Sequence, residues 1–120
     1  MNSPMPTDDL AYAKLLIQSA PKEAAAFLNL KSCAERKDGN IPEKYRELMS
    51  IAVALTTQCA HCVDVHVTQA VNAGASREEL AETVFIASAL RAGAAVSHGL
   101  MAMRMFERSM TQANRNSPDH

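Results

Sequence analysis

The stretch Leu48-Met49-Ser50-Ile51-Ala52-Val53-Ala54-Leu55-Thr56-Thr57-Gln58-Cys59-Ala60-His61-Cys62-Val63-Asp64-Val65-His66 decides the architecture. Leu48, Ile51, Ala52 and Leu55 fall at i, i+3, i+4 and i+7, and Met49 and Val53 widen the stripe, which is the repeat of a helix with a broad apolar side. A helix this apolar over two turns is expected at the centre of a core. Thr56, Thr57 and Gln58 are polar or cap-friendly. They separate this helix, expected from Pro42 to Thr57, from another over about 59–73, closed by Gly74 as a left-handed C-terminal residue.

Working outward, the same punctuation recurs. Upstream, Glu35 to Asn40 with Gly39 reads as a loop, and Pro21 opens a helix with Ala24, Phe27, Leu28 and Leu30 on one side. Before it, Thr7 with Asp8 and Asp9 caps a segment whose Leu10, Ala13 and Ile17 keep helical spacing. Downstream, Ser76 and Glu79 form a capping box for a fifth helix with Leu80, Val84 and Ala87 on its buried side. After Gly93 a sixth helix is expected, with Val96, Leu100, Met103 and Phe106 in register and Met101, Met105 and Met110 nearby, as adaptable core or subunit contact. Thr111 to His120 is polar and reads as a loose tail. The expectation is an all-α domain of about six helices over 1–110, followed by a flexible tail over 111–120.

Composition bounds the function. At 120 residues, 48% hydrophobic and 21% charged, the chain has the makeup of one ordinary globular domain. Twelve Lys and Arg against 13 Asp and Glu leave a charge of -1, with none of the basic excess that binds nucleic acid. The first nine residues lack the basic and apolar regions of a signal peptide, and the longest strongly apolar run, Leu48 to Leu55, is far shorter than a membrane span. A cytoplasmic protein with no membrane partner is expected. Three cysteines cannot all pair within one chain, and in a reducing compartment closely spaced cysteines point to chemistry.

Two of the three cysteines and two of the four histidines lie between Cys59 and His66. At about 100° per residue on a helix, Cys62 lies about 60° from Cys59 and His66 about 20° from it, so the three share one face. At a helix start both sulfurs feel the positive end of the macrodipole, which favours thiolate, and an adjacent imidazole can take the proton. A second thiol one turn away can then resolve a sulfenic acid or a mixed disulfide. Glu47, on a continuous helix, would sit about 120° from that face. A bend at Thr56-Thr57-Gln58 would let its carboxylate reach His66 and fix the imidazole tautomer.

These residues, Glu47, Cys59-x-His61-Cys62 and His66, resemble the E-x11-C-x-H-C-x3-H signature of the alkylhydroperoxidase D-like (AhpD-like) branch of the carboxymuconolactone decarboxylase family. The likeness extends over about 41–106. It implies an all-helical protomer in a homo-oligomer, trimeric or hexameric, with a thiol-dependent peroxidase or disulfide reductase site and no bound cofactor. In that family Cys62 would be the catalytic cysteine, deprotonated through Glu47, His66 and a water, Cys59 would resolve it and His61 would assist disulfide formation. The resemblance also implies a hydroperoxide substrate, a dihydrolipoyl-type dithiol reductant and a peroxiredoxin as exchange partner. Thioredoxin-type logic instead makes the first cysteine of a CxxC pair the attacker, so the order stays open.

Other readings predict different behaviour. Cys59, His61, Cys62 and His66 are four nominal metal ligands, but His61 faces away from His66 on one helix, so they cannot converge on a tetrahedral ion without unwinding. A haem attachment motif would need His where Val63 stands. A decarboxylase-type lyase or hydrolase would use His66 and Glu47 for acid–base work without thiols. A non-catalytic oligomeric binding module would have ordinary cysteines. Cys33, without a partner spacing, is expected to be buried, and His98 to be a satisfied structural histidine.

Overall fold

The computed structural model describes residues 7–116; the side chains of Thr7 and Asp8, expected to cap the first helix, and His120 in the expected tail lie outside the described residues. Every element described is a helix: α1 (Thr7–Leu10), α2 (Ala13–Ser19), α3 (Pro21–Ala34), α4 (Glu43–Thr57), α5 (Ala60–Asn72) and α6 (Arg77–Arg115). The all-α expectation holds, with a different partition. The first expected helix is interrupted at Ala11 and Tyr12, while the expected fifth and sixth are a single element of 39 residues.

Gly93 does not break α6. An interior glycine costs a helix only about 1 kcal/mol relative to alanine, and Gly93 is flanked by the strong helix formers Leu90, Ala92, Ala94 and Ala95. The element starts on the expected capping box: Ser76 Oγ accepts from the Glu79 N–H at 3.0 Å, and Glu79 Oε1 accepts from the Ser76 N–H at 2.8 Å. It runs through Arg115, five residues into the stretch expected to be a loose tail.

The core forms where α4 meets α5 and α6. Leu48, Ile51 and Ala70 are buried, with Leu55, Val67, Ala75 and Leu80 packed against them. This is the stripe expected to be central. Lys44 Nζ meets Glu79 Oε2 at 3.0 Å near one end of α4, and the Arg91 guanidinium donates to the Thr56 carbonyl near the other, so α4 and α6 run parallel. The hydrogen bond from Lys44 raises the lysine pKa, while the Ser76 backbone N–H, and after it Lys44, lower that of Glu79.

Among the described residues, the outer half of α6 and most of α2 and α3 do not pack on this core. The Cα radius of gyration is 21.8 Å, against about 14 Å for a compact domain of this length. Beyond Arg91 every described residue of α6 except Gly99 is exposed, including Val96, Leu100, Met103 and Phe106. Val84, expected on a buried side, is 38% exposed, and Phe27, Leu28 and Leu30 of α3 are exposed because α3 pairs mainly with α2. Helix α6 is also the one helix among the described residues long and apolar enough to cross a membrane. Its apolarity is diluted by Ala, Gly and Ser rather than gathered in one run, so the sequence reading settled on Leu48 to Leu55 instead.

Candidate functional site

Helix α4 ends in a left-handed residue, Gln58 (φ 59°, ψ 44°), and the N–H groups of Gln58 and Cys59 both return to the Ala54 carbonyl. This is the bend that the sequence required. A left-handed conformation costs a residue with a side chain about 1–2 kcal/mol, and strain of this kind gathers at working sites. Here it reverses the chain so that α5 runs back along α4.

Cys59 is the N-cap of α5, with extended backbone, and its Sγ accepts the Cys62 N–H at 3.3 Å. A sulfur in the place of the usual capping oxygen points at the unpaired N–H groups of the first turn, where negative charge is favoured. Cys59 and Cys62 stand at disulfide distance and are joined, with a Cα–Cα separation of 5.3 Å. Both are partly exposed. Gly74, at φ 89°, closes α5 in the left-handed conformation expected of it.

One turn beyond Cys62, His66 is buried, and its Nδ1 lies 2.6 Å from Glu47 Oε2. Glu47 is 4% exposed, so this is an imidazole–carboxylate pair inside the protein. An ionised Glu47 accepts the Nδ1 proton and leaves Nε2 as the nitrogen that can receive one. With its amide nitrogen turned toward Glu47, Gln69 donates to both carboxylate oxygens at 2.9 and 3.0 Å. Cys62 and His66 line one cleft of about 430 Å³, together with Arg46, Met49, Ser50 and Val53 of α4.

The sequence-expected group is thus largely assembled: Glu47, His66, Cys62 and Cys59 converge from both sides of the bend. His61 does not join them. It is partly exposed, does not line the cleft and makes no side-chain hydrogen bond among the described residues. Two other expectations are corrected. Cys33 is exposed and free rather than buried, because among the described residues α3 pairs mainly with α2. His98 is exposed on the projecting half of α6 rather than satisfied in a core.

The sequence reading missed Glu35, whose Oε1 stands 3.3 Å from His66 Nε2 while its other oxygen pairs with Lys31. Glu35 caps the end of α3, and its backbone N–H donates to the Lys31 carbonyl at 3.0 Å. The imidazole therefore lies between a buried carboxylate on Nδ1 and a partly exposed one near Nε2. Glu35 is 31 residues from His66 and belongs to no spacing motif; a lone acid after a helix gave no signal.

The profile of the carboxymuconolactone decarboxylase family matches residues 21–105. The chain belongs to that family. An uncharacterized protein from the cox locus of Paracoccus denitrificans is 36% identical over 70 residues, which are 58% of this chain and 63% of that protein, less than two thirds of its length. An uncharacterized protein of Cupriavidus necator is 31% identical over 90 residues, 75% of this chain and 79% of that one. The crystal structure of a carboxymuconolactone decarboxylase family protein from Legionella pneumophila superposes with a TM-score of 0.61 at 29% identity, covering 85% of this chain and 90% of that one. The family match begins at Pro21, the first residue of α3, and so takes in Glu35 as well as the α4–α5 site.

Proposed function

We propose that the protein is an AhpD-like thiol oxidoreductase, reducing hydroperoxides or a partner's disulfide by cycling Cys59 and Cys62 between dithiol and disulfide. The observation that carries this reading is the cysteine pair at disulfide distance on the N-terminus of α5, with Cys62 sharing a cleft with an imidazole backed by a buried carboxylate. In the reduced protein the Cys62 thiol gives its proton to His66 through a water in the cleft they share, and the thiolate attacks the terminal peroxide oxygen. The O–O bond breaks, the alcohol leaves with a proton, and Cys62 becomes a sulfenic acid. The Cys59 thiol then attacks that sulfur, the disulfide forms and water departs. In sum, two thiols and ROOH yield a disulfide, ROH and water.

Cys62 attacks first in this scheme because it, not Cys59, lines the cleft with His66. A dithiol of the dihydrolipoyl kind returns the pair to thiols by exchange, and a peroxiredoxin is a second candidate for exchange. A reducing cytoplasm suits a protein that must be re-reduced in each cycle. One equivalent of hydroperoxide is expected to remove two thiols per reduced chain, leaving the third, Cys33, to react with a thiol reagent. Retention of all three thiols would rule out the peroxide reaction.

The working form is a homo-oligomer, a trimer or hexamer. The chain exposes 9733 Å², against about 6,300 Å² for a folded monomer of its mass, an excess of about 3,400 Å² and of the order that permanent interfaces bury. The exposed side chains of α3 and of the outer half of α6 are those of a core. Sedimentation equilibrium is expected to return a multiple of the 13.0 kDa chain mass; a value equal to it would contradict the assembly.

A further inference from the structure

The cleft beside Cys62 adjoins a second hollow of about 430 Å³, and the two share Ala34, Ile41 and Arg46 as walls. Arg36 and Gly39 line its far end. A Cβ on Gly39 would come 3.3 Å from Arg46 Nη2 and 3.4 Å from Arg36 Nε, so the glycine leaves room for two guanidinium groups at one spot. Their charge is poorly answered. Arg36 has only Asp38 at 3.7 Å, and Arg46 has no carboxylate within ion-pair distance among the described residues. Arg46 Nη2 donates to the Ile41 carbonyl at 2.8 Å, while Nη1 is shut off from solvent without an acceptor. Nη1 is out of a ligand's reach, but Arg46 lines both hollows and Arg36 is exposed, so a carboxylate entering between them meets two guanidinium groups whose charge is poorly answered. Apart from Arg46, Cys62 and His66, the cleft walls are mostly apolar, Ala34, Ile41, Met49, Val53 and Ala54, with Ser50 and Thr57 as the polar exceptions.

We propose that the two adjoining hollows together form a substrate channel, with Arg46 and Arg36 binding the carboxylate of an apolar, carboxylate-ended molecule whose far end is presented to Cys62. The reacting end rests on the thiol reading above; the carboxylate site does not. The shared chemistry, an acyl chain ending in a carboxylate, fits either the oxidant, a fatty-acid hydroperoxide, or the reductant, a dithiol acid.

Calorimetric titration of the full chain with octanoate tests the site without turnover. Octanoate is expected to bind at least tenfold more tightly than 1-octanol, and Arg46→Met to remove that preference. Arg36→Gln, a change at an exposed side chain, is expected to reduce the preference in the same direction and keeps the test available should Arg46→Met not fold. Kinetics then separate the sources. If the oxidant carries the carboxylate, Arg46→Met lowers the ratio of kcat/KM for linoleic acid hydroperoxide to that for cumene hydroperoxide by about tenfold. If the reductant carries it, the ratio for dihydrolipoate to dihydrolipoamide falls instead. Equal binding of octanoate and octanol by the wild type, or octanoate binding unmoved in both arginine variants, overturns the site. Turnover in which neither ratio moves overturns its role as a substrate channel. A wild-type protein inactive toward every peroxide and dithiol overturns the thiol reading, and the calorimetry still decides the carboxylate site.

Discussion

Cys62→Ser is expected to abolish peroxide-dependent thiol loss and turnover, a fall of at least about 10³-fold, the scale on which removal of an enzymatic nucleophile acts. A serine hydroxyl is close in shape but does not ionise near neutral pH, so the helix terminus and the imidazole would have no anion to stabilise. The fold is expected to survive, because Cys62 is partly exposed and outside the Leu48, Ile51 and Ala70 core. Cys59→Ser provides the internal comparison. With Cys62 attacking first, this variant still consumes one hydroperoxide per chain and stops at a sulfenic acid, trappable with dimedone, because the resolving thiol is gone. If instead Cys62→Ser forms the trappable sulfenic acid and Cys59→Ser does not, the order is reversed and Cys59 is the attacker, as thioredoxin-type logic has it. A reaction carried by His66 and Glu47 alone, of the lactone decarboxylase kind, would survive in both variants.

The site was legible in the sequence because most of it is local. Cys59, Cys62 and His66 lie within one helical start, and helical geometry alone aligns them. Glu47 was reachable by the further step that a polar break at Thr56-Thr57-Gln58 bends the chain. That break is a left-handed Gln58, which no glycine announces. Glu35, Gln69 and Arg46 went unread because their positions follow from how α3, α4 and α5 pack, not from spacing along one element. The helix boundaries failed in a similar way. Gly93 was read as punctuation, but a single glycine among alanines and a leucine is too weak a breaker to divide a helix with no proline between Pro42 and Pro118. The apolar stripes on α3 and on the outer half of α6 were identified correctly as stripes. The expectation that Cys33 would be buried and His98 satisfied rested on the usual fate of a lone cysteine or histidine, whereas the described residues leave both exposed.

Glu47 should yield the second large effect, and two substitutions there separate chemistry from structure. Glu47→Ala leaves His66 Nδ1 buried without its 2.6 Å partner and opens a hole beside Gln69, so it is expected to destabilise the protein by about 3–5 kcal/mol. Glu47→Gln keeps the volume and can still accept a hydrogen bond from Nδ1 through its amide oxygen. It should cost less, about 1–2 kcal/mol in urea unfolding at fixed protein concentration, since unfolding of the proposed oligomer would be linked to its dissociation. What glutamine cannot supply is the negative charge that stabilises an imidazolium after His66 has taken the thiol proton. Thiol oxidation in Glu47→Gln is therefore expected to slow by about 10²–10⁴-fold, the range of a lost general base. Stopped-flow oxidation of the pre-reduced protein measures it. If folded Glu47→Gln oxidises as fast as the wild type, the Glu47 carboxylate only holds the imidazole in place, and thiol activation falls to His66, with Glu35 beside its Nε2, and the helix terminus. If it slows while Glu47→Asp recovers part of the rate at unchanged stability, the charge is what matters, because aspartate restores the charge but not the reach.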